Sequence, residues 1–250
     1  MNASIRRLPV TVYEGGQFIT RETPIVVEEV VRLHLNGRQI AANACTGHSL
    51  EEWAVGYLKT SGVIDDIGDV SSLTVSGTDI HVTTTGTGAT GPNDYRGSSG
   101  LSGLLTDVIE REATDTPRLA PTDILVLMDE FLSETRLHET TRGAHGGALA
   151  VRGNIQVVRE DIGRHNAVDM VVGHAVRERI DCAKAVLLTT GRISSEIVRK
   201  TSRAGIPIIL SHSAATSKAI QDARRGGITA VGYIRRKSMT LYTHLERIIR

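Results

Sequence analysis

The chain has little of what several kinds of chemistry require. It has only two cysteines, Cys45 and Cys182. They lie far apart and form no C-x-x-C pair, which argues against a disulfide framework and a structural zinc site. Aromatic residues make up 3% of its 250 residues, so the core must come from Val, Ile, Leu and Ala, and a hydrophobic content of 40% is enough for one. No run approaches the roughly 20 apolar residues of a membrane helix. The opening MNASIRRLPVTVYEGGQF lacks the apolar segment of a secretory signal. A soluble, cytoplasmic protein without membrane contact is expected. Lys plus Arg (29) almost balance Asp plus Glu (28), so the basic excess of a general nucleic-acid binder is missing, although a local arginine cluster is still compatible with that balance. Neither a P-loop nor a G-x-G-x-x-G fingerprint occurs.

What is present is strongly patterned. Residues 23–37 read as strands with a turn at Asn36-Gly37, residues 49–64 as a helix opened by a Ser49/Glu52 capping box, and residues 70–85 as a hairpin. This gives a small α+β region over 1–84. The Gly-, Ser- and Thr-rich stretch that follows reads as a loop or linker over 85–120. From 121 to 250 the order is α-β-β-α-β-α-β-α-β: helices over 122–137, 166–180, 194–205 and 216–227, and strands over 144–151, 154–161, 183–190, 206–211 and 228–234. The alternating tail implies parallel strands covered by helices, a three-layer α/β domain.

Polar residues concentrate where strands pass into helices. REDIGRHNAVD (159–169) joins the strand 154–161 to the next helix, which Asn166 is placed to cap. TTGRISSE (189–196) and LSHSAATS (210–217) repeat the arrangement. Open α/β sheets bind ligands beyond the carboxyl ends of their strands. Helix N-termini there suit phosphate, and arginines add bidentate contacts. One such junction is ordinarily a capping and salt-bridge site, and His165 alone reads equally as a satisfied structural histidine. Three junctions on one edge, two carrying Gly-Arg, point to a binding cleft formed by Gly163, Arg164, His165, Asn166, Gly191, Arg192 and Ser194. GYIRRKSMTLY (232–242) adds Arg235, Arg236 and Lys237, either a solvated basic turn or an anion clamp at the same edge.

These motifs, together with CTGHSLEEWAVGYLKTSGVI (45–64) and ETTRGAHGGAL (139–149), resemble the FdhD/NarQ family of formate dehydrogenase accessory sulfurtransferases from about residue 25 to the end. The resemblance implies a cytidine-deaminase-like core and a homodimer. It implies binding of a molybdenum or tungsten bis-guanine-dinucleotide cofactor, with Tyr233, Ile234, Arg235, Arg236, Lys237 and Ser238 matching the family's cofactor-binding stretch. It also implies sulfur taken from a cysteine desulfurase and a matured cofactor delivered to formate dehydrogenase. The zinc-ligand motifs of deaminases are absent, so deamination is not expected. The chain departs from the family pattern in one respect. Where relatives carry a C-x-x-C pair, it has Ser98-Ser99-Gly100-Leu101-Ser102-Gly103, and serine cannot form a persulfide. Cys45 lies just before a helix N-cap, where the helix dipole favours a thiolate, and is the candidate substitute. Cys182 reads as a packing residue. Three functions are open: a sulfurtransferase for cofactor maturation, a cofactor-binding chaperone without sulfur transfer, and a hydrolase using His165 with Asp161 or Glu160. No nucleophile or metal constellation supports the last.

Overall fold

Stretches of Val, Ile and Leu with period two become strands, and those with period 3.6 become helices. The computed structural model describes residues 4–85, 108–109 and 116–249. Strands β1 (Ile5–Glu14) and β2 (Gln17–Val26) form a two-stranded ribbon. Strands β3 (Glu29–Leu35), β4 (Arg38–Cys45), β5 (Val70–Ser76) and β6 (Asp79–Thr84) form a sheet in the order β4-β3-β6-β5. The expected turn at Asn36-Gly37 is present, and both residues have positive φ (50° and 81°), as a tight hairpin requires. Helix α1 (Leu50–Thr60) lays Trp53, Val55 and Leu58 on this sheet against Val31, Leu33, Ile80 and Val82.

The larger sheet has the order β12-β11-β10-β9-β7-β8. Its strands are β7 (His145–Val151), β8 (Asn154–Asp161), β9 (Ala185–Thr189), β10 (Ile208–Ser211), β11 (Thr229–Arg235) and β12 (Ser238–Leu241). Strands β9, β10 and β11 are parallel. Strand β7 is antiparallel to both β8 and β9. The carboxyl ends of β8, β9, β10 and β11 therefore lie along one edge. Alternate residues sort to opposite faces, the period of a strand. Val186, Leu188, Ile208 and Leu210 pack on helix α2 (Pro121–Glu134) through Ile124, Leu127, Met128 and Phe131. Leu187, Ile209 and Ala230 pack on helices α4 (Arg164–Arg177), α5 (Ser195–Ala204) and α6 (Ser217–Arg225). This is the mixed α/β architecture expected from the sequence.

Several local expectations need correction. Ser49 is the N-cap of α1 but sits at φ 50° and makes no side-chain cap bond, so the capping box does not form. Glu52 turns instead to Arg159 and His174. The helix expected over 122–137 breaks at Thr135, and a separate short helix, α3 (Arg136–Thr141), follows it. Helix α4 begins at Arg164, with Gly163 at its N-cap. Asn166 therefore lies inside the first turn and does not cap it. Gly205 ends α5 at φ 81°, as expected. Strand β12 folds back on β11 and was not anticipated. Nor was the β1–β2 ribbon, whose exposed Tyr13 and Phe18 obscure any inside-outside alternation.

Helices α1 and α4 cross with their backbones in contact. A Cβ on Gly56 would sit 1.8 Å from the Asp169 carbonyl oxygen, and one on Gly173 would sit 1.8 Å from that of Glu52. The crossing admits only glycine at both points. It fastens the smaller sheet, through α1, to the helix that opens at the REDIGRHN junction. Gly56→Ala must push two backbones apart and is expected to cost about 3 kcal/mol or more, at the upper end of overpacking penalties. Urea denaturation measures this, and an unchanged midpoint would contradict the tight crossing.

Candidate functional site

Most of REDIGRHNAVD proves to be internal wiring. Arg159 makes a bidentate pair with Glu52 on α1, with Nη2 2.6 Å from Oε1. Both oxygens of Glu160 accept the first free N–H groups of α3, from Leu137 (2.8 Å) and His138 (2.7 Å). Asp161 is fully buried and accepts from Thr46 N and Thr46 Oγ1 (both 2.8 Å), Gly163 N (2.9 Å) and Asn166 Nδ2 (2.7 Å). The Asn166 amide also donates to the Ala44 carbonyl (2.8 Å), and its oxygen accepts from Trp53 Nε1 (3.2 Å) and Asn43 Nδ2 (3.3 Å). Asp169 is buried against Lys200 and Thr60, all within 2.8 Å. The hydrolase reading fails here, because Asp161 and Glu160 are both fully engaged elsewhere and neither pairs with His165 among the described residues.

The strand ends are laced together by short bonds. Ser211 Oγ donates to the Gly191 carbonyl (2.7 Å), Gly191 N donates to Thr189 Oγ1 (3.1 Å), and Tyr233 N donates to the Ser213 carbonyl (3.0 Å). The Arg235 guanidinium donates to the carbonyls of His212 and Ile234. Ser194 caps α5, accepting from Ile197 N. Arg164 crosses over Gly191, where an added Cβ would lie 2.9 Å from the Arg164 Cβ and Cδ. The absent side chain at Gly191 is what lets the arginine lie flat there.

Several of the expected site residues are thus gathered on this edge with uncommitted polar groups. Nε of Arg164 and Nε2 of His165 are buried without hydrogen-bond partners. Arg192, Arg236 and Lys237 are exposed and make no ion pair among the described residues. Tyr233 is 52% exposed at φ 51°, a rare backbone conformation for a bulky residue, with the Arg235 guanidinium 5.8 Å from its ring centre. Ser238 pairs with Arg235 across the β11–β12 turn. Two expected residues point elsewhere. Ile234 is buried under α2, and Asn166 is held within the Asp161 network. Sequence reasoning passed over Glu196, whose Oε2 lies 3.2 Å from His165 Nε2. It also passed over His145, which opens β7 opposite Asp161.

Burial sets the ionisation of this edge. It drives the His165 pKa down to about 3, and Arg164, Lys200 and His145 add to the effect, so the ring is neutral near pH 7. Burial and Arg164 lower the His145 pKa, and burial and Arg235 lower that of His212. The Cys45 thiol is fully buried, and its pKa is pushed well up by desolvation and by Asp161 and Asp169. This corrects the expectation of a dipole-activated thiolate at Cys45: α1 begins five residues later, at Leu50, and two carboxylates face the sulfur. Residues Ser98 to Gly103 lie outside the described residues.

Fold and edge define an α/β protein with uncommitted cations and hydrogen-bonding groups gathered beyond the carboxyl ends of its strands. The chain belongs to the FdhD/NarQ family, whose model matches residues 26–249. It is 31% identical over 255 residues to the sulfur carrier protein FdhD of Geobacillus kaustophilus, covering 98% of this chain and 97% of that protein. It is 32% identical over 250 residues to the protein of that name from Sulfolobus acidocaldarius, covering 98% of each. A crystal structure described as a formate dehydrogenase accessory protein from Desulfotalea psychrophila matches with a TM-score of 0.84 and 27% identity, over 98% of this chain and 99% of that one.

The neutral His165 makes a prediction about acid stability. Between about pH 6.5 and 3 the unfolded chain binds a proton that the folded ring refuses, so stability falls as pH drops through that window. The slope for one such proton is about 1.4 kcal/mol per pH unit. His145 and His212 act in the same direction. His165→Gln is therefore expected to reduce the slope by about one proton, measured as urea stability at several pH values. An unchanged slope would show that His165 is protonated in the fold.

Proposed function

We propose that this protein serves formate dehydrogenase by holding a molybdenum or tungsten bis-guanine-dinucleotide cofactor at the strand edge and passing it on. The observation that supports this reading is the set of uncommitted groups at Arg164, His165, Arg192, Arg236 and Lys237, beside the exposed ring of Tyr233. Each guanine dinucleotide carries a pyrophosphate, which suits arginines and a helix N-terminus such as that of α5. It also carries a planar base, which suits an exposed aromatic ring and guanidinium planes. The bound cofactor supplies the metal and dithiolene chemistry. The chain's own residues orient it and neutralise its phosphates. Gly191 keeps the floor of the site low, and Arg235, tied to the His212 and Ile234 carbonyls, fixes the β11–β12 turn. A homodimer in the cytoplasm is part of the same reading.

The relatives' name adds sulfur transfer, with a cysteine desulfurase as donor. That step needs an accessible thiolate near the cofactor. Cys45 is buried, and its thiol is strongly held protonated. Cys182 precedes β9, at the end opposite the site. The five residues of that strand put roughly 16 Å between the two ends. Ser98 to Gly103 supply no thiol. The reading favoured here is therefore cofactor holding and delivery without sulfur carried on this chain.

Calorimetry with GDP tests the binding, and intact mass after incubation with cysteine and a cysteine desulfurase tests the sulfur. GDP is expected to bind, and Arg192→Glu combined with Arg236→Glu is expected to weaken it at least about tenfold, the loss of two charge-assisted phosphate contacts. No sulfur is expected to be added. Equal GDP affinity in the folded double variant removes the edge as the site. A gain of one sulfur, reversed by reductant, restores the carrier role.

A further inference from the structure

Among the described acids of this edge, Glu196 stands apart in having no hydrogen-bonded partner. Asp161, Glu160 and Asp169 are each held by two or more donors. Glu196 stands in the first turn of α5 with its side chain 45% exposed, and its carboxylate makes no hydrogen bond among the described residues. A favourable interaction with the helix dipole accounts for an acid in a first turn. It does not account for the neighbouring group. His165, only 7% exposed, has Nε2 3.2 Å from this carboxylate but out of line for a hydrogen bond to it, and that buried nitrogen has no hydrogen-bond partner among the described residues. Arg164 and Lys200 act on both members of the pair. A site built for phosphate alone would be weakened by a carboxylate in its middle. The mixture fits a ligand that brings phosphate and also presents paired N–H donors.

We propose that Glu196 is a specificity-determining residue that accepts two hydrogen bonds from the 2-amino-4-oxopyrimidine face of the ligand, and that His165 is the positioning residue behind it. The inference rests on the function proposed above. The ring N–H and the 2-amino group of this face point the same way, and a carboxylate accepts both. Adenine has an acceptor in place of the ring N–H and is refused. His165, neutral and with Nε2 3.2 Å from the carboxylate, limits the rotamers open to Glu196 without adding a charge. Guanine and the pterin of a molybdopterin share the recognised face, so the chemistry has two possible sources in one cofactor.

Calorimetry on the full chain with GDP, inosine diphosphate, ADP and 6-hydroxymethylpterin separates them. Inosine diphosphate keeps every phosphate contact and lacks only the 2-amino group. The wild type is expected to prefer GDP to inosine diphosphate by on the order of tenfold or more, as for a lost partner of a bidentate pair, and to bind ADP more weakly still. Glu196→Gln keeps the size but turns an N–H toward the ligand's own donors, so the preference should collapse to within about twofold. Glu196→Asp should recover part of it. If Glu196→Gln weakens the pterin and leaves the GDP preference intact, the face being read is the pterin's, and the role of Glu196 stands. If GDP binds and Glu196→Gln changes neither the GDP preference nor pterin affinity, the role of Glu196 is overturned while the proposed function survives. If neither GDP nor the pterin binds the wild type, both fall.

Discussion

The buried carboxylate of Asp161 is the point on which the rest of the site hangs. It accepts four hydrogen bonds from three segments: the end of β4 through Thr46, the N-cap glycine of α4, and Asn166 one turn into that helix. A buried ionised group is tolerable only when so satisfied, and losing one donor leaves a costly unpaired charge. The network therefore fixes the direction in which β8 turns into α4. That direction decides where Arg164 and His165 emerge. Asn166 extends the network to Trp53 and Asn43, so the smaller sheet and its helix share the same anchor. The glycine crossing of α1 and α4 clamps these parts at a second place, and the Asp169–Lys200–Thr60 cluster joins α1, α4 and α5 at a third.

A division of labour follows. The acids and amides of the 159–169 segment point inward and hold elements together. Arg164 and His165 between them reach the strand edge, where Nε of the one and Nε2 of the other are buried without hydrogen-bond partners among the described residues. Desolvation makes such groups stronger partners for a ligand than they would be in water. The same burial, with Asp161 and Asp169, disfavours a thiolate at Cys45.

The fold was readable where hydrophobic period and punctuation agreed. Strands β9, β10 and β11 are continuous apolar runs, the helices between them end at Gly205 and Gly226, and all lie where the sequence pattern puts them. The β1–β2 ribbon was not readable, since Tyr13 and Phe18 are exposed on it and no burial alternation marks it. The capping box at Ser49 failed because Glu52 has stronger partners in Arg159 and His174, which are distant in sequence. The junctions were readable as a polar edge, but which residues face outward was not. Asn166 looked like a cap and is a buried tether, while Ile234, inside a basic turn, alternates into the core. Glu196 looked like ordinary helix-start acid. Only the packing of α5 against α4 brings it to His165, and no spacing in the chain encodes that contact.

The central claim is that the unfilled groups at the carboxyl ends of β8, β9, β10 and β11 form one ligand site. Amide hydrogen exchange of the full chain with and without GDP addresses it most directly, because exchange reports protection segment by segment. The account predicts slower exchange on binding at residues 163–166, 190–196, 212–217 and 233–238 together, with little change along β5 and β6. Protection confined to other segments, or spread evenly over the chain, would contradict it.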